Sequence, residues 1–142
     1  MKALVIGSGR VGSTIALNLH SEGWDVTVID EKEDALSRLG ESWRGAFLVG
    51  HGMDTDLLRQ AGIEEADAVV ACTDGDNTNI VIGQVAQKRF GINCVVVRVL
   101  DPARADFYAT TGLRTVCPTK TAIDTLIDAV RACEIPGAKV SA

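Results

Sequence analysis

The chain begins with a short apolar run and a glycine turn: Ala3-Leu-Val-Ile6, then Gly7-Ser8-Gly9-Arg10-Val11-Gly12. A second apolar run, Val26 to Ile29, ends on Asp30. Strand, glycine turn, helix, second strand and terminal acid, in that order, form the fingerprint of a dinucleotide-binding βαβ unit. Each part has a physical task. Gly7 allows the tight turn, Gly9 leaves room for a pyrophosphate against the backbone, and Gly12 lets helix and strand pack closely. The start of the helix, with Ser8, Arg10 and Val11 around it, offers free N–H groups to an anion. Asp30 offers a carboxylate to ribose hydroxyls.

At 142 residues the chain is long enough for one domain with a substantial core. Only 4% of it is aromatic, so that core must be built from Val, Ile, Leu and Ala. Such a core suits a parallel sheet covered on both faces. A net charge of -5 argues against a general nucleic-acid binder but leaves room for a local phosphate pocket. The first apolar stretch is too short for a signal peptide, and no apolar run is long enough for a membrane helix. A cytoplasmic location is expected. The cysteines, Cys72, Cys94, Cys117 and Cys133, form no CxxC pair, and His20 and His51 are not at metal-ligand spacing. Cys72, Cys94 and Cys117 fall in or beside apolar runs and are expected to be small buried thiols.

Strand-like and helix-like segments alternate to the end of the chain. After the opening strand, strands are expected over 25–30, 46–49, 66–72, 93–99 and 114–117. Helices are expected over 11–22, 32–39, 54–60, 77–90, 102–112 and 119–133, several of them closed by glycine. Pro102 begins one helix at its favoured first position, and Asp54 reads as the cap of another. Repeated βα units with short connections predict an α/β fold: a Rossmann-type doubly wound parallel sheet with a C-terminal crossover helix. The domain is expected over 1–133, with a loose tail over 134–142 marked by Pro136-Gly137.

In such a sheet, ligands bind beyond the carboxyl ends of the strands, at the topological switch point. That rule selects the glycine turn, then Asp30, Glu31 and Lys32, then Gly50, His51 and Gly52, then Cys72, Thr73, Asp74 and Gly75, and finally Arg98. Arg10 reads better as a phosphate contact than as a solvated arginine, because a cation at a helix N-terminus needs a compensating anion. Arg98 closes a valine-rich strand and needs an anionic partner. That partner is either a ligand phosphate or a carboxylate such as Asp74 or Asp101. Asp30 repels a 2′-phosphate, which favours NAD over NADP; it does not separate NAD from ATP or ADP. His51 stands either against an adenine or in a plain surface loop. No nucleophile–base set can be assembled from two histidines, so catalytic residues are not expected.

The stretches Val5-Ile-Gly-Ser-Gly-Arg-Val-Gly12, Val28-Ile-Asp-Glu-Lys32, Ala61-Gly-Ile63 and Ala66-Asp-Ala-Val-Val-Ala-Cys-Thr73, with Gly50, Asp54, Leu58, Asn79 and Arg98, resemble the RCK or TrkA-N domain of Trk- and Ktr-type potassium-uptake regulators. The resemblance covers nearly the whole chain. It implies a cytoplasmic regulatory subunit, peripheral to the inner face of the cell membrane, that acts on a membrane potassium transporter or channel. It further implies a homo-dimer or larger ring and a bound ligand, NAD(H) or alternatively ATP/ADP. By the same resemblance, Gly7, Gly9, Arg10 and Val11 hold phosphates, and Arg98 approaches them. Asp30 holds the ribose, Gly50 and His51 border the adenine, and Thr73 reaches the ribose-phosphate region. The last helix packs on a partner subunit, in keeping with its apolar residues Ala122, Ile123, Leu126, Ile127, Ala129 and Val130. Two departures stand out. His51 occupies a position where the family often has Asp or Asn. Thr119 follows Pro118 where some members carry an acid, so no divalent site is expected there. The alternatives are a fragment of an NAD-dependent oxidoreductase and a nucleotide sensor for another partner.

Overall fold

The computed structural model describes residues 1–137, so the tail expected over 134–142 lies partly outside the described residues. Six parallel strands form one sheet: β1 (Lys2–Ile6), β2 (Asp25–Asp30), β3 (Ala46–Val49), β4 (Ala68–Ala71), β5 (Cys94–Arg98) and β6 (Arg114–Val116). Their spatial order is β3-β2-β1-β4-β5-β6, the doubly wound Rossmann order. The switch point therefore falls at β1, which pairs with β2 on one side and β4 on the other. Val5 sits opposite Val28 and Val70.

Alternation along the strands builds two cores. Leu4, Ile6, Ile29, Val69 and Ala71 pack on one face with Ile80 and Ile82 of α3 (Asp76–Gln84). Val5, Val26 and Val28 pack on the other with Ala16 of α1 (Arg10–Ser21), Leu39 and Trp43. The central strands are buried on both faces, which is why they read as continuous apolar runs. The remaining helices are α2 (Thr55–Gln60), α4 (Pro102–Thr110) and α5 (Pro118–Arg131). Asp54 caps α2 by accepting the N–H groups of Asp56 and Leu57, as its sequence position suggests.

Two helical expectations are modified. The segment expected as a helix over 32–39 is a 3-10 helix, Glu33–Leu39; it starts from an extended Lys32 with no side-chain cap and stops at Gly40. The long helix expected over 77–90 begins at Asp76 and widens into a π turn, Val85–Arg89, where the Phe90 N–H reaches back to the Val85 carbonyl at 3.3 Å. Of the cysteines expected inside, Cys72 is buried, but Cys94 is exposed and Cys117 half-buried. Cys94 begins β5, where the strand emerges from the core. No residue of α5 is buried, and Leu126 and Val130 are 66% and 65% exposed. The expected C-terminal helix is present, but it does not bury its apolar face in its own sheet.

Candidate functional site

The carboxyl ends of β1, β2, β3 and β4 surround a cavity of about 450 Å³. That is within the range of small-molecule sites. The glycine turn forms its floor. Gly7 has φ +100°, and a Cβ there would lie 2.7 Å from the Cys72 carbonyl. A Cβ on Gly12 would lie 1.7 Å from the Gly7 carbonyl, so this glycine lets α1 close on the turn. Gly9 differs: a Cβ there would meet nothing within 4 Å. The protein's own packing does not demand glycine at that position.

The turn is tied to β2 by Asp30. Its Oδ2 accepts the Ser8 N–H at 2.7 Å, and its Oδ1 accepts the Lys32 N–H at 2.8 Å. Ser8 is fully buried, so this bond satisfies a donor that has no access to water. Gly9 caps α1 without any side-chain hydrogen bond, and the first turn of the helix holds no acid. The first N–H groups of α1 are thus capped by no side chain.

Of the residues singled out in sequence, Gly7, Ser8, Gly9, Asp30, Glu31, Lys32, Gly50, His51, Cys72, Thr73 and Asp74 line this one cavity. Arg10, Val11, Gly12 and Arg98 do not. Arg10 is exposed as the first residue of α1, and Val11 is 43% exposed. Gly12 acts in packing. The Arg98 side chain is only 18% exposed and turns to the protein itself. Its Nη2 donates to the carbonyls of Cys72 and Thr73 at 3.1 and 2.8 Å, and lies 3.9 Å from the carboxylate of exposed Asp74. Of the two carboxylates weighed for Arg98, Asp74 is the one beside it; Asp101 instead caps α4 and pairs with Arg104.

Asn79, 1% exposed, completes this wall. Its amide accepts from the Thr73 N–H and hydroxyl, and donates to the carbonyls of Thr73 and Arg98. All its hydrogen-bonding groups are used, which fixes the ends of β4 and β5 together. Burial pushes the Cys72 thiol up to about 11, with Arg98 opposing the shift and Asp30 adding to it. At neutral pH it is a thiol, not a nucleophile.

Gly52 and Gly75, also selected at the strand ends, line the cavity too; sequence reasoning missed Asp34, Ala35, Ser37 and Arg38, which the 3-10 helix brings to the rim, and Thr78. The expected helix after Asp30 held the signal, since a helix starting at the end of β2 returns its side chains to that rim. Four carboxylates (Asp30, Glu31, Asp34, Asp74) and two fixed cations (Lys32, Arg38) line the cavity.

Residues 3–119 match the family model of the TrkA-N domain. The chain belongs to the TrkA-N domain family. It is 42% identical over 127 residues to the "Trk system potassium uptake protein TrkA" of Streptomyces coelicolor, covering 89% of this chain. The chain spans 57% of that relative's length. Among solved structures, a TrkA-N fold like this one is seen in the C-terminal domain of Shewanella denitrificans Kef in an AMP-bound form. The TM-score is 0.78 at 22% identity, covering 92% of this chain and 80% of the other. The GsuK channel bound to NAD matches with a TM-score of 0.77 at 22% identity, covering 92% of this chain and 23% of the channel. These likenesses are of fold. The cavity lies at the switch point of the TrkA-N fold, where the sheet's topology places ligands.

Proposed function

We propose that this chain is a non-enzymatic nucleotide-binding regulator of a potassium uptake system, and that it gates a membrane transporter or channel by binding NAD(H) or an adenine nucleotide such as ATP or ADP. The observation that carries this reading is the uncapped N-terminus of α1, whose N-cap Gly9 lines the same cavity as Asp30. Phosphates fit the free N–H groups, and a ribose fits the carboxylate. The likeness to a potassium uptake protein supplies the transport context, and fold neighbours solved with AMP and with NAD supply ligand precedents.

Residues 1–133 form the binding unit in this reading, and α5 is the dimer element. Ile123, Leu126, Ile127 and Val130 are exposed, and Val116 of edge strand β6 is 49% exposed beside them. A second copy of the chain would cover these groups. A ligand shifts a membrane partner only through different affinities for two arrangements, and a dimer contact supplies those arrangements. No helix among the described residues is long and apolar enough to cross a membrane. The proposed place of action, peripheral at the inner face, rests on the likeness to a potassium uptake protein.

Thermal melts and calorimetric titrations with NAD(H), ATP, ADP and NADP(H) test the ligand. Stabilisation by the first three, and less by NADP(H), is expected. No stabilisation by any of them removes the proposal.

A further inference from the structure

Glu31 follows β2 and His51 follows β3, two neighbouring strands in register at Asp30 and Val49. His51 Nε2 lies 3.0 Å from Glu31 Oε1. The Met53 N–H donates to His51 Nδ1 at 3.2 Å. A donor aimed at Nδ1 makes that nitrogen the acceptor, so the proton of the neutral imidazole sits on Nε2, the nitrogen that faces Glu31. Nδ1 is spent on Met53, and His51 has no acceptor left for a ligand. Glu31 has one. Its Oε2 has no partner among the described residues, and its side chain lines the cavity at 64% exposure.

With phosphates on α1 and a ribose on Asp30, the base must lie further out along β1-β2-β3. Ala35 and Arg38 of the 3-10 helix line the cavity together with the Glu31–His51 pair. We propose that Glu31 accepts a hydrogen bond from the exocyclic amine of the base, and that His51 is the positioning residue that holds it there. This rests on the nucleotide reading above and deepens it. An ionised carboxylate only accepts. It pairs with the 6-amino group of adenine and repels the lone pairs of a 6-oxo group. The site therefore selects 6-aminopurines over 6-oxopurines. A polar mismatch on the wrong ligand discriminates, here modestly, because Glu31 is 64% exposed and water can serve it.

Calorimetric titration of the 142-residue protein with AMP and IMP, and with NAD and its hypoxanthine analogue, reads the selection directly. Wild type should prefer each amino form by about tenfold, the lower end for a hydrogen bond to a charged group, since Glu31 is partly exposed. In Glu31→Gln the amide can turn its N–H₂ towards a 6-oxo group, and the ratio should fall towards one. His51→Ala should lower the ratio by releasing Glu31, whereas His51→Gln, which keeps a donor facing Glu31, should preserve it. A residue needed only for folding would shift both affinities equally and leave the ratio alone. Equal binding of AMP and IMP by wild type, or a ratio untouched by Glu31→Gln, overturns the proposal while leaving the nucleotide site standing. Failure of all four ligands to bind overturns the nucleotide reading with it.

Discussion

The backbone N–H of buried Ser8 is satisfied by the carboxylate of Asp30, 2.7 Å away and 22 residues later in the chain. Asp30 therefore clamps the glycine turn before any ligand arrives. Asp30→Ala should leave a buried donor unpaired and cost about 1–3 kcal/mol of stability. The same change should abolish the preference for NAD(H) over NADP(H). Urea unfolding and paired titrations measure the two effects. A variant of unchanged stability would contradict the clamp, and stronger NADP(H) binding by wild type would contradict the ribose role.

The glycines of the turn should separate by phenotype. Gly12→Ala drives a methyl group into the Gly7 carbonyl, and overpacking of this kind costs about 1–3 kcal/mol or more. Gly9→Ala meets only open space and should fold normally, yet it should weaken nucleotide binding by obstructing the approach to the backbone. Melting curves with and without ADP distinguish the two. Equal destabilisation by both substitutions is the outcome that contradicts this division.

Arg10 stands on the positive end of α1 and outside the cavity lining. Arg10→Ala should leave the ligand-free protein as stable or more so, because a cation leaves a helix N-terminus. If the side chain swings onto a bound phosphate, nucleotide affinity should drop by about 1.5 kcal/mol, the lower end for a charged hydrogen bond. Calorimetry on the variant decides, and unchanged affinity assigns Arg10 to solvent.

The exposed face of α5 sets the assembly state. Sedimentation of the wild-type chain should show a dimer or larger species, and Leu126→Asp or Ile127→Asp should shift it towards monomer. Neither substitution should change the melting temperature of the monomer much, since both residues are exposed in the chain. A strict monomer at high concentration, with or without nucleotide, removes the α5 contact.

Cys72 gives the fold a defined alkaline limit. Its pKa is raised from 9.0 to about 11 by burial, so between those values the native state holds a proton that the unfolded state releases. The associated stability is full below pH 9.0 and is lost as pH rises towards about 11. Cys72→Ala should flatten this decline in a series of melts. A thiol reagent at neutral pH should label Cys94 and Cys133 first, as both are exposed.

The local pattern of the chain determined the order of elements, the glycine turn, the acid at the end of β2 and the cap at Asp54. These depend on contacts within a few residues, or on one βα unit, and leave a readable spacing. Most of the cavity was legible too, because the ends of parallel strands converge wherever the sheet's order reverses. What tertiary structure alone decided was the direction of individual side chains. The sequence leaves Arg98 between a ligand phosphate and a structural partner, and the fold turns its guanidinium to the carbonyls of Cys72 and Thr73. The sequence leaves His51 between an adenine contact and a surface loop, and the fold sets its ring nitrogens towards Glu31 and Met53. Asn79 showed no periodic signal for its place between β4 and β5. Long polar side chains choose among partners only a few ångströms apart, and those partners come from segments far apart in sequence. Their choice is fixed only when the sheet brings the segments together.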